Sequence, residues 1–103
     1  MKLLCMAILA AVLVFFSCPA LAASTAQVQI KDMKFQPSEV TIQSGGTVAW
    51  TNEDPMLHDV KFKDSESPNL KKGEQYSKTF DKPGTYDYLC EIHPGMKGKV
   101  IVT

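Results

Sequence analysis

Short runs in which apolar and polar residues alternate recur from residue 28 to the C-terminus. Such alternation is typical of β-strands with one face in a core, and no stretch has the apolar spacing of a long helix. Turn-forming residues, such as Ser44-Gly45-Gly46 and Pro94-Gly95, separate the runs. The apolar residues of the alternating runs are Val28/Ile30, Val40/Ile42, Val48/Trp50, Val60/Phe62, Tyr86/Tyr88/Cys90 and Val100/Val102. Short strands at this spacing predict an all-β fold, an antiparallel sandwich or barrel, with a surface loop or sheet edge over Asp64–Leu70.

The first 22 residues have a different character from the rest. Lys2 is followed by an uncharged run from Leu3 to Phe16, and Ala20-Leu21-Ala22 has the small-x-small pattern of a signal-peptide cleavage site. This order predicts a secretory signal peptide over residues 1–22 and a single exported domain over residues 23–103. The apolar run is shorter than the roughly 20 residues that cross a bilayer, which argues against a membrane anchor. The residues before Cys18 match a lipidation signal poorly, so lipid anchoring is not expected.

Removal of that segment changes the cysteine count. Cys5 and Cys18 would leave with the signal peptide, so Cys90 would be the only thiol of the exported chain. An unpaired thiol in an oxidising compartment dimerises or oxidises unless it is buried or bound to a metal. The sequence therefore requires a specific role for Cys90.

The charge balance excludes several functions. The chain has 103 residues with 11 basic residues, all lysine, and 11 acidic residues. Nucleic acids and anionic membrane surfaces bind proteins with an excess of positive charge. We therefore expect no nucleic-acid partner and no polybasic membrane contact.

A cluster of metal-ligand residues lies near the C-terminus. Cys90, His93 and Met96 are three residues apart, on a Pro-Gly turn that joins two predicted strands. The other histidine, His58, begins the predicted Val60/Phe62 strand. Loops from the two sheets of a sandwich meet at one end of the molecule, so the four side chains can converge there.

The donor set favours copper. One thiolate, two imidazoles and a weakly bound thioether form the ligand set of blue-copper sites. Structural zinc takes four strong ligands, and catalytic zinc keeps a position open for water. Taken singly, His58 reads as an ordinary histidine, Met96 as core and Cys90 as a small apolar residue or as a nucleophile with a histidine base. The combination favours a copper site without catalytic residues.

The pattern extends over the whole predicted domain. It comprises Asp32-Met33-x-Phe35-x-Pro37, Val40-x-Ile42-x3-Gly46-x-Val48-x-Trp50-x-Asn52, His58-x-Val60 and Gly84-Thr85-Tyr86-x-Tyr88-x-Cys90-x2-His93-x2-Met96-x-Gly98. It resembles the cupredoxins, the family of blue copper proteins, and within them most of all the amicyanins, in the group of plastocyanin and pseudoazurin. The resemblance implies a Greek-key β-sandwich of about eight strands, with His58, Cys90 and His93 as equatorial copper ligands and Met96 as the axial ligand.

The same resemblance implies a function. It is that of a soluble, monomeric carrier of the periplasm that passes one electron between redox proteins and has no small-molecule substrate. Partners would dock briefly near His93, inside a ring of apolar residues such as Pro55, Met56, Leu57, Pro94 and Gly95. A periplasmic copper chaperone or copper store uses the same metal and is the alternative.

One departure from the family pattern concerns two acidic residues. Asp59 stands where relatives usually carry asparagine, and the family geometry would bring it to Glu91. Two like charges side by side disfavour ionisation of both, so one carboxyl would keep its proton and tune the copper site. In the alternative, one or both side chains point to solvent.

Overall fold

The computed structural model describes residues 24–103. The predicted signal peptide, residues 1–22, lies outside the described residues and stays a prediction, as does the start of the domain at Ala23. Strands make up the regular structure of the described part, which contains no helix long and apolar enough to cross a membrane. The strands are β1 (Thr25–Lys31), β2 (Lys34–Gln36), β3 (Glu39–Ile42), β4 (Gly46–Asn52), β5 (Gln75–Phe80), β6 (Gly84–Leu89) and β7 (Lys97–Val102).

The strands form two sheets. The first has the order β2-β1-β4-β5 and the second the order β3-β7-β6. Most neighbours are antiparallel, as predicted, but β1 pairs with β4 and β3 with β7 in parallel, so both sheets are mixed. The all-β sandwich prediction is confirmed.

The described residues contain seven strands, where about eight were predicted. The predicted Val60/Phe62 strand does not form, because the Phe62 N–H donates to the carbonyl of Ser65, 2.7 Å away, and turns the chain. Isolated bridges take its place, with Lys61 facing both Glu66 and Leu89.

The alternating apolar residues form the core between the sheets. All the predicted members are buried except Tyr86, which is half-buried at the rim. Trp50 is fully buried and meets Tyr88 edge-on, with ring centroids 5.3 Å apart. Aromatic pairs of this kind contribute about 0.5–1.5 kcal/mol beyond their buried area. The core therefore fixes the position of β6, the strand that leads directly into Cys90.

The irregular segment between β4 and β5 places His58. The backbone of His58 exchanges hydrogen bonds with Leu70, at 3.3 and 2.7 Å. Lys61 likewise exchanges two with Leu89, at 2.8 and 3.0 Å, at the end of β6. The predicted loop over Asp64–Leu70 has no regular strand, although Ser67 and Leu70 within it are buried. These contacts hold the segment of His58 against the strand of Cys90.

Candidate metal centre

Three predicted ligands meet at one end of the sandwich. The Sγ atom of Cys90 lies 3.7 Å from Nδ1 of His58 and 3.9 Å from Nδ1 of His93. Cys90 and His58 are fully buried, whereas His93 is half-buried. Residues 32 positions apart in the chain are thus neighbours in space, as the sequence predicted.

The spacing of these atoms fits a single metal ion. Bonds of about 2.3 Å to a thiolate and about 2.0 Å to an imidazole nitrogen, about 120° apart, place the two ligand atoms about 3.7 Å from each other. The sulfur–nitrogen distances of 3.7 and 3.9 Å agree with this value. One thiolate and two imidazoles, with a methionine in the loop that carries Cys90 and His93, are the donors that favour copper.

The loop from Cys90 to Met96 is closed by its own backbone. The N–H of Cys90 donates to the carbonyl of Met96 at 3.0 Å, and the N–H of Met96 donates to the carbonyl of His93 at 2.9 Å. Met96 is buried, and β7 begins at the next residue. These bonds fix the backbone around three of the predicted ligands.

A carboxylate that the sequence analysis missed orients His58. Oδ2 of Asp54 lies 2.9 Å from Nε2 of His58, so that nitrogen is bonded within the protein and Nδ1 is left to face Cys90. The backbone N–H groups of Asp32 and Met33 donate to Asp54 at 2.9 and 3.0 Å. Both of those residues have positive φ, which turns the two N–H groups toward the carboxylate. The four-residue spacing before His58 was the only sequence signal for this role.

The charge state of Asp54 follows from these contacts. Burial raises the pKa of its carboxyl, but hydrogen bonds from Met33, His58 and Asp32 lower the pKa by more, so the net pKa lies below the ordinary value. A buried carboxylate that accepts such bonds makes the imidazole it touches a better metal ligand. Asp54 thus supports His58 electrostatically as well as by position.

The side chain of Asn52 stabilises the loop that precedes His58 through three hydrogen bonds. Its buried side chain donates to the carbonyls of Met56 and Leu70 at 2.9 and 2.7 Å. Its Oδ1 accepts the N–H of Asp54 at 2.9 Å. One amide at the end of β4 therefore ties together the strand, the loop before His58 and the Leu70 segment.

The two acidic residues singled out in the sequence do meet, through a hydrogen bond to a backbone group and with their carboxylates close together. Oδ1 of buried Asp59 accepts the N–H of Glu91 at 2.7 Å, so the Glu91 side chain is not needed for the contact. Glu66, which the sequence analysis missed, completes a cluster in which carboxylate oxygens of all three residues lie within 4.8 Å. Hydrogen bonds with Glu91 and Asp59, followed by desolvation and the Glu91 charge, raise the pKa of Glu66 to about 7, against the opposing charge of Lys61.

Comparison with known proteins decides the family. The cupredoxin-like domain matches residues 4–102 of this chain. The chain belongs to the cupredoxin family. Amicyanin-alpha of Methylorubrum extorquens is 47% identical over 87 residues, which cover 78% of this chain and 73% of that protein. Amicyanin of Paracoccus denitrificans is 42% identical over 82 residues, which cover 73% of this chain and 63% of the relative.

Solved cupredoxin structures agree with the fold. A reduced variant of amicyanin superimposes with a TM-score of 0.75 at 38% identity, covering 81% of this chain and 86% of the variant. With the plastocyanins that also match, these relatives support a type 1 copper electron-transfer protein rather than an enzyme. They do not favour the alternative of a copper chaperone or store. The predicted family and copper cofactor are confirmed.

Asp54→Asn is expected to weaken copper binding by this cupredoxin about 10–100-fold, the usual effect of losing a carboxylate behind a ligand histidine. The amide keeps the size of the side chain but removes its negative charge. Since that charge favours Cu(II), the reduction potential of the copper should also rise. Both are measurable by chelator competition and redox titration. Glu53→Gln removes the same charge from the exposed neighbouring residue and should change neither. Equal affinities for the two variants would contradict the role given to Asp54.

Glu66→Gln is expected to flatten the pH dependence of stability in the mildly acidic range. Because the folded-state pKa of Glu66, about 7, lies above the ordinary 4.5, its contribution is fully present below pH 4.5 and is lost as the pH rises through 7. The groups facing it are Asp59, Glu91 and Lys61. Melting temperatures measured from pH 4 to 8 test this, with Glu39→Gln on β3 as the control. If Glu66→Gln and wild type show parallel curves, the Glu66 assignment is wrong.

Proposed function

We propose that this cupredoxin carries single electrons between redox proteins of the periplasm, with copper bound by His58, Cys90, His93 and Met96. The observation that carries the proposal is the convergence of one buried thiol and two imidazole nitrogens, with sulfur–nitrogen distances of 3.7 and 3.9 Å. Copper, when bound, supplies a one-electron couple between Cu(II) and Cu(I).

The rigidity of the ligand residues supports electron transfer rather than metal exchange. Asp54 fixes the His58 ring, and the fully buried Cys90 is held in a hydrogen-bonded loop. Ligands that cannot rearrange lower the cost of changing the oxidation state, because few atoms move when the charge changes. A chaperone would instead need an open site from which the metal leaves quickly.

The surface around His93 supports a docking role. Within residues 24–103, the three large apolar side chains that are exposed are Met56, Leu57 and Ile92, at 45%, 43% and 42%. All three are close in sequence to the histidine ligands, and Ile92 extends the apolar ring predicted from Pro55, Met56, Leu57, Pro94 and Gly95. Transient redox complexes use small interfaces, below about 1,200 Å² of buried area. We infer that the chain is a monomer that docks its partners briefly on this face.

Colour and redox cycling test the carrier function. The protein loaded with Cu(II) should turn intensely blue, bleach when reduced and recover when reoxidised by an outer-sphere oxidant. A protein that cycles slowly and loses copper rapidly to a chelator is a chaperone, and this outcome would overturn the proposal.

Electron self-exchange tests the docking face without a known partner. In a mixture of oxidised and reduced copies, Leu57→Asp with Ile92→Asp should slow self-exchange by about tenfold or more, because each copy then brings two added negative charges into the contact. Thr25→Asp with Thr41→Asp adds the same charge to exposed positions on β1 and β3. NMR line broadening measures the rates. Equal slowing in both double variants would exclude the His93 face as the docking surface.

Mass spectrometry tests the proposed location. We expect the periplasmic fraction of the native host to contain a chain that begins at Ala23. A chain that keeps residues 1–22, or one that carries a lipid at Cys18, would overturn the assignment of the signal peptide.

A further inference from the structure

A groove lies between the irregular segment at residues 61–63 and the strands β6 and β7 of the second sheet. Its volume is about 510 Å³, within the range of pockets that bind small molecules. The residues that line it are Lys61, Phe62, Lys63, Asp87, Tyr88, Leu89, Lys97 and Gly98. None of these residues is a predicted copper ligand, although the backbones of Lys61 and Leu89 help to hold the segment of His58 beside Cys90.

The groove begins where a strand pairing stops. Lys61 and Leu89 exchange two backbone hydrogen bonds, so residue 61 starts an antiparallel pairing with β6 that would next bring Lys63 opposite Asp87. That second pair does not form, because the turn from Phe62 to Ser65 leads the chain away. The groove is the wedge that opens between the diverging backbones.

The wall of this groove is an open sheet edge. The strand β6 is the last in its sheet and pairs with β7 on one side. Since Leu89 points its N–H and C=O away from β7, the two-residue period of an antiparallel pair points those of Asp87 and Thr85 the same way. Among residues 24–103, no backbone group forms a hydrogen bond with the N–H or C=O of Thr85 or Asp87. An extended peptide is the natural complement of such an edge.

The rim of the groove selects the charge of that peptide. Lys61, Lys63 and Lys97 line it, against the single carboxylate of Asp87. Only Lys61 has an acidic partner within the described part of the chain, Glu66 at 3.8 Å. Lys63 and Lys97 are exposed, and the floor is formed by aromatic and aliphatic side chains. The complementary ligand is extended and acidic, with apolar residues in alternate positions.

We propose that this groove docks an acidic, extended segment of a partner protein, which adds as a strand to β6 beside Thr85 and Asp87. The groove shares no lining residue with the His93 face of Pro55, Met56, Leu57, Ile92, Pro94 and Gly95. Leu89 directly precedes Cys90, so the segment would lie one residue along the chain from the copper-binding thiol.

An NMR titration of the Cu(I)-loaded protein tests the proposal. The probe is the synthetic peptide acetyl-(Glu-Val)4-amide, with acetyl-(Lys-Val)4-amide as the charge control. The acidic peptide should shift the amide resonances of the groove and slow hydrogen exchange at Asp87, and it should bind more weakly as salt rises. Lys63→Glu with Lys97→Glu should weaken binding about tenfold or more.

A matched double variant keeps this test specific. Lys34→Glu with Lys72→Glu makes the same charge change at exposed lysines outside the groove and should leave binding nearly unchanged. Equal binding of the basic peptide, equal loss in both double variants, shifts confined to the His93 face, or no slowed exchange at Asp87 would each overturn the proposal. Because no electron transfer is measured, its failure would leave the carrier function standing.

Discussion

Cys90→Ser is expected to abolish the intense visible absorption of the Cu(II) protein and to reduce its electron self-exchange to background. The absorption requires transfer of charge from a thiolate to Cu(II), and a serine hydroxyl is neither ionised nor soft enough to replace that ligand. Serine is close to cysteine in size, so the buried position is filled with little change in volume. Absorption spectroscopy and NMR line broadening measure the two effects.

Cys18→Ser provides the matched control for this substitution. It makes the same chemical change at a cysteine that the signal-peptide prediction removes from the exported chain. It should therefore leave colour and rate unchanged. A Cys90→Ser protein that stays blue and continues to exchange electrons would refute the assignment of the thiolate ligand.

Removal of copper is expected to lower the melting temperature by about 15 °C or more. A ligand that binds only the folded state stabilises it by about 4 kcal/mol when its free concentration is 1,000 times the dissociation constant. For a domain of this size, each kcal/mol corresponds to about 4–8 °C. His58 lies 32 residues before Cys90 in the chain and reaches it only in the folded protein, so the unfolded protein has no comparable site.

Calorimetry of the copper-loaded and copper-free protein measures this difference. The same comparison on Cys90→Ser is the control, since that variant should gain much less from copper. Coincident melting curves for loaded and copper-free wild type would contradict a site that forms only on folding.

The features that the sequence predicted are those encoded by local pattern. The two-residue alternation gave the strands and their buried faces, because side chains of a strand point to opposite sides of the sheet. The ligands Cys90, His93 and Met96 lie three residues apart on one loop, and His58 was identified because the chain has only two histidines. These signals do not depend on knowing which strands are neighbours.

The features that the sequence analysis missed depend on long-range contacts. Asp54 acts through the turn at Asp32 and Met33, more than 20 residues away, and no periodicity records that approach. Glu66 reaches the Asp59–Glu91 contact only because the segment after β4 folds back along β6. The Val60/Phe62 alternation was correct for burial but wrong for strand formation, since a single turn hydrogen bond diverts the backbone.

X-ray absorption at the copper edge of the loaded protein tests the ligand assignment most directly. We expect one short bond to sulfur and two to imidazole nitrogen, with the short sulfur bond absent in Cys90→Ser. A first coordination sphere of nitrogen and oxygen alone in the wild-type protein would contradict copper binding by Cys90, His58 and His93.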